Sequence, residues 1–275
     1  MRLTFLGTGP AAAIPRPGHR DAACRDARKG GQSRRSRSAA IVESRAATIL
    51  IDAGPDIERQ LKRERVRCVD LVLLTHGHAD ACGGLRLLDR WLAAKNPERL
   101  VPVFTDRVTK RRLELKYKRL ARLRFIAVAP FTRITVGALR ITPFPVRHAA
   151  TPGSSAELGT GFPTFGWSFG RSLAYASDLF ALPPRSARLI KNVETLVLDA
   201  AAWFGMRIPA HLSTDASIRL AGELRARHAI LTQIGHTYPP HAMAKKSVRR
   251  YLTILRDPKP RRVTLAYDGL RVNVN

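Results

Sequence analysis

The chain has 275 residues, 45% of them hydrophobic, which is enough to bury a substantial core as one large domain or two small ones. Its apolar runs fall short of the roughly 18 residues that a membrane span needs, and its N-terminus has too short an apolar stretch for a signal peptide. The three cysteines are too few and too scattered for a disulfide framework. These features predict a cytoplasmic protein that does not enter the membrane.

The formal net charge of +27 at pH 7 is extreme. Lys and Arg side chains that neutralise phosphates release counterions, so this charge favours a polyanionic partner such as nucleic acid. An arginine-rich genomic composition, or the charged surface of a heat-adapted protein, explains the same charge without any partner. Charge bears on solubility and association rather than on fold, and both interpretations stay open at this stage.

Short apolar and β-branched runs in the sequence predict strands, and one-sided apolar patterns predict helices. The predicted strands are Arg2–Leu6, Ala39–Glu43, Thr48–Asp52, Leu71–Leu74, Leu139–Pro145, Thr164–Phe169, Ser172–Ala176, Thr195–Asp199 and His228–Thr232. The predicted helices are Gly84–Ala94, the strongly basic Thr109–Arg122, and Thr214–Leu224, which follows the N-cap residue Ser213. Residues 10–37 form a Gly-, Pro- and Arg-rich insert that we expect to be too polar for the core. Sheets covered by helices are therefore expected.

Two histidines and an aspartate alternate directly after the predicted strand Leu71–Leu74, at His76, His78 and Asp80. Alternation at the end of an extended segment projects side chains toward one point. Imidazole and carboxylate groups suit zinc, manganese or iron, and such a metal lowers the pKa of a bound water to near neutrality. The segment therefore predicts a hydrolytic metal site.

This segment resembles the His-x-His-x-Asp-His signature of metallo-β-lactamase-fold hydrolases. Gly7-Thr8-Gly9 and Ile51-Asp52-Ala53-Gly54 are similar to motifs that precede the signature in that family. His148 matches the family's next metal-binding histidine, and Asp178, at the end of Tyr175-Ala176-Ser177-Asp178, matches its bridging aspartate. The resemblance covers nearly the whole chain, with the motifs in the family's order. It implies an α/β (α+β) fold, a four-layer αββα sandwich forming a single domain over residues 1–275. The active-site metal ligands that it implies are His76, His78, Asp80, His148 and Asp178.

Within that superfamily, the sequence most resembles the phosphoribosyl cyclic phosphodiesterase of phosphonate degradation and its relatives. Those enzymes carry an insert with three cysteines, which bind a structural zinc together with a histidine from a Leu-Thr-His-Ile-Gly-His segment. The matching segment here is Leu231-Thr232-Gln233-Ile234-Gly235-His236. The resemblance therefore implies a structural zinc site that joins the insert at about residues 10–37 to this segment. Its implied ligands are His19, Asp21, Cys24 and His236, four residue types that zinc accepts in tetrahedral coordination.

Two residues of the active-site motifs depart from the family pattern. The family has a histidine directly after the signature aspartate, where this chain has Ala81, and another where it has Gln233. Both missing histidines belong, in the family, to the second ion of a two-metal site. The first set of ligands is intact by type, so the sequence leaves open whether a second active-site ion binds.

His211 and Asp80 are the predicted catalytic residues. His211 precedes a predicted helix, as does the histidine that resembles the family's general acid, and a histidine pKa near neutrality suits proton delivery to a leaving oxygen. Asp80 would orient the attacking water or hold a weak second ion. Asp199, at the end of an apolar strand, is a candidate partner for a ligating histidine.

The basic segment after residue 108 has two interpretations. A solvated helix face explains it cheaply, whereas a phosphate-rich substrate would use its charge and Tyr117 to stack a base. The basic residues of this segment are Lys110, Arg111, Arg112, Lys116, Lys118, Arg119, Arg122 and Arg124.

The resemblance implies a metal-dependent hydrolase, and the favoured reaction is phosphodiester hydrolysis by a metal-bound hydroxide. We expect zinc in the structural site and either zinc or manganese in the active site. The expected partner is a small phosphodiester or nucleic acid, and an oligomer is compatible with the sequence. Three alternatives stay open: a ribonuclease Z-like nucleic-acid phosphodiesterase, hydrolysis of an ester or lactone, and a catalytically weak nucleic-acid-binding protein. Charge favours the ribonuclease, although the long RNA-gripping arm of that family is not evident.

Overall fold

The computed structural model describes residues 1–148 and 163–274, and two seven-stranded β-sheets form the centre of that part of the chain. The first sheet comprises β1 (Arg2–Gly7), β2 (Ala39–Glu43), β3 (Thr48–Ile51), β4 (Leu71–Leu73), β5 (Val101–Thr105), β6 (Leu123–Ala127) and β14 (Arg271–Asn273), in the order β14-β1-β2-β3-β4-β5-β6. The second comprises β7 (Ile134–Val136), β8 (Leu139–Val146), β9 (Thr164–Phe169), β10 (Leu173–Ala176), β11 (Thr195–Asp199), β12 (His228–Thr232) and β13 (Arg262–Leu265), in the order β13-β12-β11-β10-β9-β8-β7.

Helices cover the outer face of each sheet. They are α1 (Ala22–Arg28), α2 (Ile57–Arg63), α3 (Ala79–Cys82), α4 (Leu85–Lys95), α5 (Arg107–Lys116), α6 (Pro184–Ile190), α7 (Thr214–Glu223) and α8 (His241–Ile254). Apolar residues of α2, α4 and α5 join one buried cluster with the first sheet, and those of α6, α7 and α8 join another with the second. The predicted αββα sandwich of α+β type is confirmed.

Alternation along the strands divides the core between these layers. Ile49 and Ile51 of β3 face the second sheet, where Trp167 and Tyr175 are also fully buried, whereas Leu50 faces the helices. Successive side chains of a strand point to opposite faces, so a strand buried on both faces has a continuous apolar sequence. This explains why the short run Ile49–Ile51 contains no polar residue.

The nine predicted strands are present, and their bounds differ from the prediction by at most one residue at either end. The prediction for the basic helix was wrong at both ends, because α5 begins at Arg107 after the capping residue Asp106 and stops at Lys116. The carboxylate of Asp106 accepts hydrogen bonds from the backbone N–H groups of Val108 and Thr109, at 2.8 and 2.9 Å. The chain beyond Lys116 then turns into β6, which the sequence pattern did not predict.

As expected, the insert supplies no residue to the three large buried clusters found among the described residues, although parts of it are buried. Ile14, Cys24 and Ala27 form a small buried cluster within it. Arg35 is also buried, because its guanidinium donates to the Thr8 hydroxyl and to the Ala266 carbonyl and lies 3.0 Å from the ring of His241. The polar composition of the insert is accommodated by hydrogen bonds rather than by exposure.

The topology brings several strand ends to one edge of the sandwich. β10, β11 and β12 are parallel neighbours, so Asp178, Asp199 and Gln233 at or beyond their carboxyl ends lie side by side. β8 runs in the same direction, since it is antiparallel to β9, which is antiparallel to β10. β4 of the other sheet ends at this edge too, where the Phe165 N–H donates to the Thr75 carbonyl at 2.8 Å. Ligand sites form at such edges because loops converge there.

The motif Ile51-Asp52-Ala53-Gly54 holds the backbone of the histidine segment. The Ala53 N–H donates to the Ala81 carbonyl at 2.6 Å, and a Cβ at Gly54 would lie 2.0 Å from the Asp80 carbonyl oxygen. No side chain fits in that space, so glycine is required for the two backbones to approach this closely. The motif therefore sets the position of the turn that carries His78 and Asp80.

Among the helices of the described residues, none is both long and apolar enough to cross a membrane.

Candidate metal centre

Three of the predicted ligands converge at the common edge of the two sheets. The ring centroids of His76 and His78 lie 4.5 Å apart, and that of His148 lies 5.1 and 5.4 Å from them. One ligand atom from each of the three lies within 4.8 Å of the others. Three imidazoles at this spacing match what a divalent transition metal needs.

Asp178 and His211 complete the cluster. One ligand atom each from His148, Asp178 and His211 also lie within 4.8 Å of one another, so His148 belongs to both groups of three. Neither of these groups, the two found in the described part of the chain, contains Asp80, although Asp80 lies near enough to Asp178, His148 and His211 for their charges to affect its pKa. The structure thus brings the predicted active-site residues to one place, with Asp80 beside the two groups of ligand atoms rather than in them.

A hydrogen-bonded chain orients the ring of His76. The Thr75 hydroxyl donates to the Asp52 carboxylate, at 2.9 Å from Oδ2, so it can only accept from Nδ1 of His76, which lies 2.9 Å away. The proton of the neutral ring is then on Nδ1, which leaves a lone pair on Nε2. That Nε2 is buried and has no hydrogen-bond partner among the described residues. A buried lone pair without a donor is the state expected of a metal ligand, so this residue fits a metal ion.

The ring of His148 is oriented in the same way. Its Nδ1 lies 3.0 Å from the Ala210 carbonyl, and a carbonyl can only accept, so Nδ1 donates. This contact leaves Nε2 as the nitrogen that can face an ion. Burial lowers the pKa of His76 to about 3, and it lowers the pKa of His78, with a further contribution from His148. The rings of His76 and His78 are therefore neutral, and neutral imidazole is the form that binds a metal.

The carboxylate of Asp178 is buried and ionised. Burial alone would raise its pKa, but His76, His148 and His211 lower it below its usual range. The Ser177 hydroxyl donates to Oδ2 and the Gln233 amide donates to Oδ1, each at 2.6 Å. By contrast, the pKa of Asp80 is raised by burial and by the nearby charge of Asp178.

His211 pairs with Asp199, as the sequence suggested for a candidate partner. Nδ1 of His211 donates to Oδ2 of Asp199, a residue with no solvent exposure. Burial would lower the pKa of His211, but the Asp199 carboxylate raises it to about 9. The ring is therefore charged at neutral pH, and its Nε2–H is the proton that it can deliver.

The residues of the predicted structural site are neighbours but do not form a closed set. The rings of His19 and His236 lie 5.2 Å apart, and Nδ1 of His19 lies 3.6 Å from Oδ2 of Asp21. In the described part of the chain, however, the groups of three within 4.8 Å are confined to the active site. The Arg16 guanidinium lies 3.2 Å from Nδ1 of His236, and the Arg16 N–H donates to Cys24 Sγ.

Tyr117 is not the exposed platform for a base that one of the two interpretations of the basic segment required. Only 8% of it is exposed, and its hydroxyl donates to the Cys82 carbonyl at 3.3 Å. This contact packs the end of α5 against α3, and it brings the basic face of α5 near the histidines. Arg112 is close enough to His78 to contribute to its lowered pKa, after the larger effects of burial and of His148.

A family model described as a beta-lactamase superfamily domain matches residues 47–234, which is more than half of the chain. The chain belongs to the metallo-β-lactamase superfamily. Members of this superfamily are mostly hydrolases that bind divalent metal ions, and the His76, His78 and His148 cluster is suited to such an ion. The superfamily predicted from the motifs is therefore confirmed.

Individual relatives of this metallo-β-lactamase chain have diverse names. A solved diphosphatase from the PhnP family is 29% identical, with a TM-score of 0.82, and the match covers 99% of this chain and 97% of that one. A ribonuclease Z of Bradyrhizobium diazoefficiens is 30% identical over 161 residues, which cover 54% of this chain and 46% of that protein. An octanoyltransferase of Porphyromonas gingivalis is 24% identical over 280 residues, which cover 100% of this chain and 52% of that protein. The chain thus spans about half the length of the curated relatives that it matches.

No role in the site was predicted for Thr75 or Ser177, and Arg112 was named only as one member of the basic segment. Thr75 and Ser177 each stand next to a predicted ligand, and that adjacency is the signal that could have found them. Arg112 lies more than 30 residues from His78 in the sequence, and only the packing of α5 brings it near.

We predict that Asp199→Asn lowers the pKa of His211 from about 9 toward or below its ordinary 6.5, because burial then outweighs the remaining charges. The raised pKa means that the stability contributed by the pair is fully present below pH 6.5 and is lost as the pH rises through about 9. An NMR titration of the His211 ring in metal-free protein measures the change. His228, whose pKa burial lowers to about 4, is the internal control and should not move. An unchanged titration of His211 would contradict the proposed pairing.

Proposed function

We propose that this protein is a metal-dependent phosphodiesterase. The observation that carries the proposal is the convergence of His76, His78, His148 and Asp178, with the protonated His211 in the same cluster. Histidine ligands and the carboxylate of Asp178 can hold an ion that activates a water. The cationic His211 can protonate the departing oxygen. The 29% identity to a PhnP-family diphosphatase favours phosphorus as the centre attacked.

His76, His78, His148 and Asp178 would hold the ion, with zinc or manganese as the metals that suit these ligands. When bound, such an ion polarises a phosphoryl oxygen and lowers the pKa of a water to near neutrality. The chain's own contribution is to keep the imidazoles neutral and oriented through Asp52, Thr75 and the Ala210 carbonyl. Ligands fixed in this way need little reorganisation during the reaction.

Two further side chains act on the substrate in this proposal. His211, held through Nδ1 by Asp199, donates its Nε2 proton to the leaving oxygen and is restored by a proton from solvent. Asp80, whose raised pKa lies near neutrality, accepts a hydrogen bond from the attacking water and so directs it. Arg112, on the exposed face of α5 near His78, attracts the anionic diester.

The direct test is turnover of bis(p-nitrophenyl) phosphate by protein loaded with Mn²⁺ or Zn²⁺. We expect activity that chelation removes and that re-addition of metal restores. His76→Ala should reduce turnover to background, because it deletes a ligand held in the core, while His228→Ala should leave it unchanged. A His76→Ala variant that is folded by circular dichroism and fully active would contradict the proposed centre.

His211→Ala should separate the proton-donating role from a ligand role. We expect the rate to fall roughly 10²–10⁴-fold for a diester with an alkyl leaving group, the usual size of general-acid assistance. The loss should shrink for a p-nitrophenyl ester, because p-nitrophenolate departs without much protonation. Equal losses for the two leaving groups would show instead that His211 binds the metal or the substrate.

A polynucleotide substrate is the second candidate, because the net charge is +27 and the chain resembles a ribonuclease Z over 161 residues at 30% identity. We expect an unrelated single-stranded RNA to bind with micromolar affinity at physiological salt. The affinity should weaken steeply as salt rises, with a log–log slope of several units from counterion release. Fluorescence anisotropy over a salt series measures this slope. Binding that is weak or independent of salt would favour a small phosphodiester and assign the charge to surface composition.

The structural zinc at His19, Asp21, Cys24 and His236 stays a proposal. Its support is that four zinc-binding residue types from the insert and from the end of β12 meet at one place. The Arg16 guanidinium lies 3.2 Å from Nδ1 of His236, so binding of the ion through that nitrogen would displace it. The ion would then connect the insert to the second sheet and stabilise the fold rather than act in catalysis.

A further inference from the structure

Gln233 occupies an unusual position directly beyond β12. It is 2% exposed, and its φ of 59° is in the left-handed region, which a residue with a side chain seldom adopts. The following residue is held to the other sheet, because the Ile234 N–H donates to the Thr8 carbonyl at 2.9 Å. Such a constrained backbone directs the side chain, and here the side chain points at Asp178.

Gln233 donates a hydrogen bond to Asp178 and cannot accept one from it. Nε2 of Gln233 lies 2.6 Å from Oδ1 of Asp178. The ionised carboxylate only accepts hydrogen bonds, so the amide nitrogen and not the amide oxygen must face it. The Ser177 hydroxyl donates to the other oxygen, Oδ2, also at 2.6 Å. Both oxygens of Asp178 therefore accept a strong hydrogen bond from the protein itself.

These two donors restrict how many cations Asp178 can serve. A carboxylate oxygen has two lone-pair directions, and one on each oxygen is already used. A single oxygen that joins two ions needs both of its directions, so neither oxygen can join two ions alone. One direction remains on each oxygen, and an ion bound through Oδ1 would lie beside the Gln233 N–H, whose hydrogen carries a partial positive charge. Oδ2 can still bind one ion, and the amide disfavours a second ion at Oδ1.

The other residues near this position do not compensate. Ala81, buried at 3% exposure, offers only a methyl group. Asp80 is not part of either cluster of ligand atoms in the described chain. The amide oxygen of Gln233 is a neutral donor that transition metals bind weakly compared with imidazole. Among the described residues, a second ion would thus find only the carboxylates of Asp80 and Asp178, with solvent completing its coordination.

We propose that the centre holds a single divalent ion, and that Gln233 is a positioning residue whose amide takes the place of a second ion on Asp178. This inference rests on the proposed metal centre but not on the identity of the substrate. It implies that negative charge on the leaving oxygen is met by the His211 proton, since the residues that the structure describes offer no second set of imidazole ligands there.

Manganese provides the first test, because Mn²⁺ is paramagnetic and suits imidazole and carboxylate more than a thiolate site. Wild-type protein is stripped of metal and titrated with Mn²⁺ to several equivalents, and its low-temperature EPR spectrum is recorded. We expect the six-line spectrum of isolated Mn²⁺ at every ratio. Two ions about 3.5–4 Å apart, the spacing of two-metal sites, would give a broad exchange-coupled spectrum and would overturn the inference.

A gain-of-site variant provides the second test. Ala81→His with Gln233→His restores two imidazoles and removes the amide from Asp178. We expect the tightly bound metal, measured by mass spectrometry after gel filtration, to rise by one ion per chain, and the coupled Mn²⁺ spectrum to appear. Ala81→His with Gln233→Met is the matched control, which removes the amide but adds only one imidazole and should not gain a fully occupied ion.

The outcomes separate this inference from the proposed function. The triple variant His76→Ala/His78→Ala/His148→Ala lacks the proposed centre, so its metal content is the baseline. Wild-type protein should contain one ion per chain more than this variant. Two ions more would contradict the single-ion inference alone. No difference would contradict the metal centre itself, and with it the proposed phosphodiesterase. If the double-histidine variant does not fold, the spectrum of the wild-type protein still decides between one ion and two.

Discussion

The buried negative charge of Asp178 is the constraint on which the rest of the site depends. A carboxylate moved from water into a protein interior costs several kcal/mol unless donors and opposite charge surround it. Here the donors are Ser177 and Gln233, and the opposite charge is His211. An ion at His76 and His148 would add to that compensation, because their free nitrogens face the same space.

The surrounding polar groups are organised in pairs that each orient one ring. Asp52 acts through Thr75 on His76, and Asp199 acts directly on His211. The two arrangements have opposite effects. The hydroxyl between Asp52 and His76 is neutral, and burial keeps the ring of His76 uncharged, whereas the direct contact with Asp199 keeps His211 protonated. Two histidines of one site thereby take the distinct roles of ligand and acid, a separation that pKa tuning commonly achieves.

The convergence of several strand ends at this edge also explains how a metal site can form when each strand supplies only one or two ligands. β8, β10, β11 and β12 end in the same direction, and β4 of the opposite sheet meets them there. Each strand therefore needs to supply only one or two polar residues just beyond its apolar segment. The close backbone contact at Gly54 holds the turn after β4 at the required distance, while apolar residues of both sheets pack against each other below the site.

The local sequence was sufficient to predict nine of the fourteen strands that the structure describes and the order of the motifs. The alternation of His76, His78 and Asp80 after an apolar run indicated a metal site, whereas His148 and Asp178 were named through the resemblance to the metallo-β-lactamase family. The departures at Ala81 and Gln233 were visible in the same way, and they raised the question of a second ion without answering it.

Only the tertiary structure decided which polar atoms contact each other. The partners Gln233 and Asp178 are 55 residues apart, Asp52 and Thr75 are 23 apart, and Arg35 reaches His241 across 206. The sequence pattern predicts which face of its own strand or helix a residue occupies. Which atoms its side chain contacts depends on how separate strands pack and on backbone angles such as the positive φ of Gln233. That is also why Arg35 is buried: composition suggested an insert too polar for the core, whereas packing and hydrogen-bond geometry gave this side chain buried partners.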